Sequence, residues 1–337
     1  MGSGPHYNAS LRRTLLTLTL ALLGAALLLA TVNRVGWANV HNSITALGWW
    51  YVVVIALAGM RFLARSRAWQ VCAQQPQFGL RRAFTATIAG DALGNLTPFG
   101  ILASEPTKVY LVRSRVATVQ AVASVAAENT FYTASVLLMI GAGALTFFRV
   151  ATVPPPLRLG GEIVLAVVLI GAAVGFLILR QRPAILSRVA HLLARATGRA
   201  ASAPDRLREI EVHFYAMLTW PWSRIARVFF WEAMFHVAAV AEVLLVLRLL
   251  PNARPVTLVD AFVLETAGRL ITVVFKFVPY RLGVDEAGSA VVARALAMDP
   301  TIGVALAMVR RLRILFWNAI GLAVLAARRD DTASPEN

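Results

Sequence analysis

The sequence predicts an all-α polytopic membrane protein of about six transmembrane helices plus two re-entrant helical hairpins in an inverted repeat. Three observations carry that prediction. The 337 residues are 58% hydrophobic and only 15% charged, with a mean hydropathy of +0.67, whereas a soluble domain is about one-quarter charged. Several runs of about 20 residues are apolar enough to cross the roughly 30 Å hydrocarbon core, and they are far too long for barrel strands of about 10 alternating residues. Two further stretches are interrupted by Pro and Gly and dotted with charge, and they align with each other.

The elements follow in order. The opening "SLRRTLLTLTLALLGAALLLATV" has a basic start and an apolar run. It reads as a retained helix rather than a cleaved or twin-arginine signal, because the run is as long as a span and no small-x-small cleavage site follows. Full spans are expected at about Leu11–Val32, Ile44–Met60, Val116–Phe148, Glu162–Leu179, Val228–Leu250 and Ile302–Ala326. The interrupted stretches are Ala83–Arg115 and Thr257–Met298. This gives an N-terminal cytoplasmic tail (1–10) and one membrane domain (11–327), whose repeats cover about 11–150 and 160–327. A cytoplasmic linker lies at about 180–226, and a polar, disordered tail at 328–337. In the linker, "RLREIEVHFYAML" has apolar residues at helical spacing, as in an amphipathic helix lying on a membrane surface.

The net charge of +16 is carried mostly by Arg. On a soluble chain that would suggest nucleic acid. On a membrane chain it marks cytoplasmic loops and contact with anionic lipid, so no nucleic-acid partner is expected. The single cysteine, Cys72, excludes a disulfide framework and a Cys-rich metal site. Arg61, Arg65, Arg67, Arg81 and Arg82 precede the first hairpin, Lys108, Arg113 and Arg115 end it, and many Arg residues lie between Arg180 and Arg227. By the positive-inside rule these segments are cytoplasmic. The first hairpin then enters and returns on the cytoplasmic side, the second on the outer side, and both termini are cytoplasmic. The Ala- and Arg-rich usage points to a bacterial inner membrane.

Placing "PFGILASEPTKVYLVR" (Pro98–Arg113) over "PYRLGVDEAGSAVVAR" (Pro279–Arg294) gives a constant offset of 181 without a gap. Pro98 meets Pro279, Phe99 meets Tyr280, Glu105 meets Glu286 and Arg113 meets Arg294. Asn95, Pro98, Pro279 and Gly283 are the predicted hairpin turns. Inverted repeats with broken helices place a transport site near the bilayer midplane, where irregular backbone lines a polar cavity.

The segment "GNLTPFGILASEPTKVYLVR", together with "FVPYRLGVDEAGSAVVARALAMDPTIGVALAMVRRLRILFWNAIGLAVL", resembles the lysylphosphatidylglycerol synthase transmembrane-domain family across essentially the whole chain. The specific signals are a Pro-x-x-x-Gly-x-x-Glu-like turn, kept at Pro279, Gly283 and Glu286, and the Arg-rich last helix. The first copy differs, with Leu102 at the Gly place and Pro106 after Glu105. The resemblance implies flippase-like movement of lipid between leaflets. The family's soluble aminoacyl-transfer domain is not among these residues, so the chain is expected to move a lipid made elsewhere rather than to synthesise it.

The substrate-contacting candidates are charged groups at membrane depth. Ser104 and Asp285 can cap half-helices starting near Glu105 and Glu286, and such N-termini suit a phosphate. Lys108 lies at i, i+3 from Glu105 and can pair with it. Arg310, Arg311 and Arg313 precede only about 14 apolar residues, about 21 Å of helix and too short to span. That helix must start near Thr301, with Pro300 in its first turn, which puts the three Arg inside the membrane. They hold a phosphate bidentately or snorkel to the outer interface. Arg269, Lys276 and Arg281 add charge to the second hairpin, with Glu265 at i, i+4 from Arg269. Glu128 either pairs with the Arg310 cluster or carries a transported proton. Glu232 and His236 lie at i, i+4 with no further ligand nearby, a packing pattern rather than a metal site.

No Asp-rich diphosphate motif, Gly-rich phosphate loop or Ser nucleophile elbow occurs. No enzymatic activity, metal or cofactor is therefore expected. The function expected is translocation of an anionic or amphipathic lipid: an anionic phospholipid, an aminoacyl-lipid, a hopanoid, a glycolipid or a polyprenyl phosphate. The alternative is a non-transporting scaffold or regulator of a lipid-modifying enzyme. A homodimer and a separate lipid-modifying enzyme are the protein partners to test.

Overall fold

The computed structural model describes residues 45, 47–75, 78–97, 100–150, 155–184, 187–188, 202–250, 254–275 and 283–330. Among these, all regular structure is helical. The first half comprises α1 (Trp50–Ala73), α2 (Leu80–Leu96), α3 (Ile101–Val112) and α4 (Thr118–Val150). After α5 (Pro155–Gln181) and α6 (Ser202–Tyr215) comes a short 3₁₀ turn (Ala216–Thr219). The second half comprises α7 (Trp222–Leu249), α8 (Leu258–Val274), α9 (Val284–Ala295) and α10 (Pro300–Asp330). The predicted span Leu11–Val32, the tail 1–10, and Pro98, Lys276, Pro279 and Arg281 lie outside the described residues.

Among the described residues, three helices are long and apolar enough to cross a membrane: α4, α5 from Arg158 onward, and α7. α5 touches the other helices mainly through α4, and none of its apolar window is buried inside the protein. Such an all-apolar surface suits a lipid environment. α1 and α10 are as long but carry charge at mid-length.

That charge corrects two boundaries. α1 continues past Met60 to Ala73, so Arg61 and Arg65 are helix residues rather than loop residues. Nothing between Met60 and Ala73 breaks a helix, and both guanidiniums find carboxylates inside the protein. Arg224 likewise leaves the predicted linker. It lies in the first turn of α7, and its guanidinium donates to the carbonyls of Val71 (3.1 Å) and Cys72 (2.8 Å). It thereby satisfies carbonyls that the end of α1 leaves open. α10 runs to Asp330, past the predicted tail boundary at 328, and residues 331–337 lie outside the described residues.

The halves repeat in length and in contact. α1 to α4 have 24, 17, 12 and 33 residues, and α7 to α10 have 28, 17, 12 and 31. Each packing pair in one half has its counterpart: α2 on α3 and α8 on α9, α3 on α4 and α9 on α10, α1 on α2 and α7 on α8. Between halves, α2 packs on α10 as α8 packs on α4, while α1 lies along α7. The crossings of α2 on α10 and of α8 on α4 rest on glycine. A Cβ on Gly321 would come 2.6 Å from the Ile88 carbonyl oxygen, and one on Gly143 would strike the Thr266 side chain. Small residues at such crossings let helix backbones approach closely where lipid offers no hydrophobic drive.

Each half has its own apolar core. Trp69, Ala83, Ala86, Leu111, Val112 and Val125 join α1 to α4. Val243, Val246, Leu264, Ala293, Leu306 and Val309 join α7 to α10. At 12 residues, about 18 Å, α3 and α9 are too short to span a bilayer. Each folds back on the helix before it.

Candidate functional site

A cavity of about 340 Å³ lies where the halves meet, and α1, α2, α3, α4, α7, α8, α9 and α10 all contribute to its wall. Its charged lining is Arg61, Arg65, Asp91, Glu105, Lys108, Glu265, Arg269, Asp285, Arg310 and Arg313. Charges in a protein interior are costly unless paired, and the pairing pattern defines the site.

Glu128, 3% exposed, receives Arg65 in a two-pronged contact, Nε to Oε1 at 2.6 Å and Nη2 to Oε2 at 2.8 Å. Arg65 also donates to Asn129 (3.2 Å) and lies over the Tyr132 ring, 3.8 Å from its centroid. Glu242, 1% exposed, is held by Arg313 and, at 3.3 Å, by Arg61. Glu265 takes Arg269 at 2.8 Å and Arg310 at 2.6 Å. Arg269 reaches the Tyr132 hydroxyl at 3.4 Å, so Tyr132 ties α4 to α1 and α8.

The stoichiometry is uneven within one group. Four guanidiniums (Arg61, Arg269, Arg310, Arg313) share two carboxylates (Glu242, Glu265), an excess of two positive charges in that group, while Asp91 and Asp285 also line the cavity. Two donors in this group have no hydrogen-bond partner among the described residues: Arg61 Nε and Arg269 Nη2, both buried. The two guanidiniums lie against one ring, that of Phe235, 4.9 and 4.7 Å from its centroid. Cation–π attraction helps hold them there, and like charges so placed attract an anion.

The predicted residues are distributed differently from expectation. Arg310 and Arg313 line the cavity, but Arg311 turns away and pairs with Glu286 at 2.6 Å. Glu286 is at the start of α9, yet its other oxygen accepts the Gly283 N–H (2.9 Å). This helix start is therefore closed by its own side chain. Gly283 has φ +82°, a left-handed conformation that glycine adopts without the Cβ penalty.

In the first half, α3 starts at Ile101, so Ser104 and Glu105 lie within the helix rather than at its cap. Glu105 pairs with Lys108 on the same helix at 3.0 Å. Asn95 is not in a turn. It ends α2, donating to Asp91 (3.0 Å) and across to Asn318 on α10 (3.1 Å). Glu128 does not meet the Arg310 cluster, because Arg65 on α1 is its partner. His236 Nε2 lies 3.0 Å from the Ser135 hydroxyl. No group of three or more metal-ligating side chains occurs among the described residues.

Sequence reasoning missed Arg61, Arg65, Tyr132, Phe235 and Glu242. One signal was available: the offset that places Pro98 on Pro279 also places Arg61 on Glu242, and these two residues pair with each other across the halves.

The family model described as "Lysylphosphatidylglycerol synthase TM region" matches residues 15–321. No curated protein matches the chain. No solved structure matches it.

Proposed function

The chain belongs to the lysylphosphatidylglycerol synthase transmembrane-region family, and from that premise we propose that it is a lipid translocase, moving a lipid with a phosphate-bearing headgroup between the leaflets of a bacterial inner membrane. The observation that carries this reading is the pair of unpartnered guanidinium donors, Arg61 Nε and Arg269 Nη2, against Phe235 at a cavity between two repeats. A phosphate bound there would accept from Arg61 Nε and Arg269 Nη2 and offset the excess. Guanidinium suits this task, since its fork matches phosphate oxygens.

On this reading the acyl chains stay in the bilayer while the headgroup crosses through the cavity. The hairpins α2–α3 and α8–α9 are re-entrant from opposite faces, which makes the repeat inverted and sets the cavity near the midplane. Arg310 and Arg313 are positioning residues that share the carboxylates and leave Arg61 and Arg269 under-neutralised. Glu105 lines the cavity and offers acceptor oxygens for a headgroup ammonium or hydroxyl, as an aminoacyl-lipid or glycolipid would supply.

Purified chain reconstituted in proteoliposomes with fluorescent anionic phospholipid tests the proposal. Translocation well above that of protein-free vesicles is expected. A rate equal to that of empty vesicles would leave the chain as a scaffold or regulator for a lipid-modifying enzyme.

A further inference from the structure

Glu232, on α7, has no assigned part in the headgroup site, yet it is the most anomalous acid among the described residues. It is 0% exposed, and neither carboxyl oxygen has a hydrogen-bond partner. One turn before it, Val228 packs with Ala68 and Cys72 of α1, Ala127 of α4 and Met217 in an apolar cluster. An ionised carboxylate shut off from bulk solvent, with no donor among the described residues, is not sustained in such surroundings, and a carboxyl there binds a proton instead.

The charged groups that act on Glu232 are Glu128 from α4, Arg65 from α1 and Lys108 from α3, with the Cys72 thiol of α1 also within electrostatic reach. Lys108 is occupied by Glu105. Arg65 is occupied by Glu128 through two hydrogen bonds. The charges that α8 and α10 bring to α7 gather elsewhere: Arg269, with Glu265, at Phe235, and Arg313 at Glu242. One cation, Arg65, is thus within electrostatic reach of both carboxyls and is bonded to one of them. With Glu232 protonated the trio is neutral, and with Glu232 ionised it carries one negative charge.

We infer that Glu232 is a proton-binding site whose loss of a proton draws Arg65 off Glu128, coupling proton movement to the lipid cavity. Arg65 is part of the cavity wall, so its transfer from one carboxylate to the other changes the charge presented to a headgroup. The balance is simple: one proton leaves Glu232 for one face of the membrane, and one guanidinium changes partner. The coupling rests on the translocase reading of the cavity; the proton site does not.

Two measurements separate them. In pH-dependent infrared difference spectra of the full purified chain, a protonated-carboxyl C=O band is expected, absent in Glu232→Gln and retained, shifted, in Glu232→Asp. Glutamine copies the size and neutrality of the protonated acid, so the variant is expected to fold. A spectrum unchanged by Glu232→Gln overturns the proton site. In proteoliposomes, the ratio of lipid translocation rates with and without an imposed pH gradient is expected to exceed one for the natural chain and to fall to one in Glu232→Gln. A natural chain indifferent to the gradient overturns the coupling. If no lipid moves at all while the infrared band behaves as expected, the translocase reading and the coupling fail, and the proton site stands.

Discussion

In the first half of the molecule Arg65 reaches from α1 to Glu128 on α4; in the second Glu242 reaches from α7 to Arg313 on α10. The helices correspond, and the charges are exchanged. On the hairpins, Glu105 is answered within its own helix by Lys108, whereas Glu286 closes the start of α9 and holds Arg311 of α10. Between the halves, Arg61 and Glu242 occupy matching positions and pair with each other. The repeated scaffold builds the cavity, and the unequal side chains give it its sign. Two identical halves would put like charges at matching positions, with no partner for either.

The largest expected effect comes from Glu242→Gln. It leaves Arg61 and Arg313 buried with no carboxylate between them, and breaking a buried pair in this way costs about 3–5 kcal/mol. Thermal melting in detergent should show a deeper loss than for Glu128→Gln, since Arg65 keeps Asn129 and the Tyr132 ring. Equal losses would mean that the two pairs are interchangeable.

Exchanging the first pair to copy the second is the next test. Arg65→Glu and Glu128→Arg should each destabilise, and the double variant should recover about 0.5–3 kcal/mol as coupling. Additive losses would deny that the pair contributes as a unit. At the matching glycine crossings, Gly143→Ala and Gly321→Ala should each cost about 1–3 kcal/mol by overpacking, although alanine favours an isolated helix. A gain at either position would show that crossing to be loose.

The smallest effect is one of pH. Asp299 accepts the Thr301 N–H (2.8 Å) and hydroxyl (2.7 Å) at the start of α10, and first of all the backbone bond holds its carboxyl below the usual value of 3.8. A depressed carboxyl stabilises the fold above its unfolded value and loses that contribution as pH falls through the folded one. Asp299→Asn should therefore flatten the acid limb of the stability profile slightly. The start of α4 has no acid in its first turn, so no corresponding change is expected there.

The helical class, the two interrupted stretches and the offset of 181 were readable because apolar runs, Pro and Gly leave local marks. The start of α10 at Pro300 was readable too, because the apolar run after Arg313 is too short to span. The end of α1 was not. Arg61 and Arg65 look like loop residues by charge, and only tertiary partners distant in sequence keep them inside. For the same reason the three Arg of α10 looked like one phosphate clamp. One helix turn distributes them among Glu265, Glu286 and Glu242, and no local pattern specifies that. Glu232 read as helix packing because burial without a partner is a property of the assembled fold.

The most direct test of the central claim compares anionic with zwitterionic phospholipid in proteoliposomes for the natural chain and for Arg61→Gln with Arg269→Gln. The account predicts that the natural chain prefers the anionic lipid. The double variant should lose that preference along with roughly tenfold or more of the anionic rate, about 1.4 kcal/mol for each tenfold. An unchanged rate with an unchanged preference would contradict the assignment of the under-neutralised guanidiniums as the headgroup site.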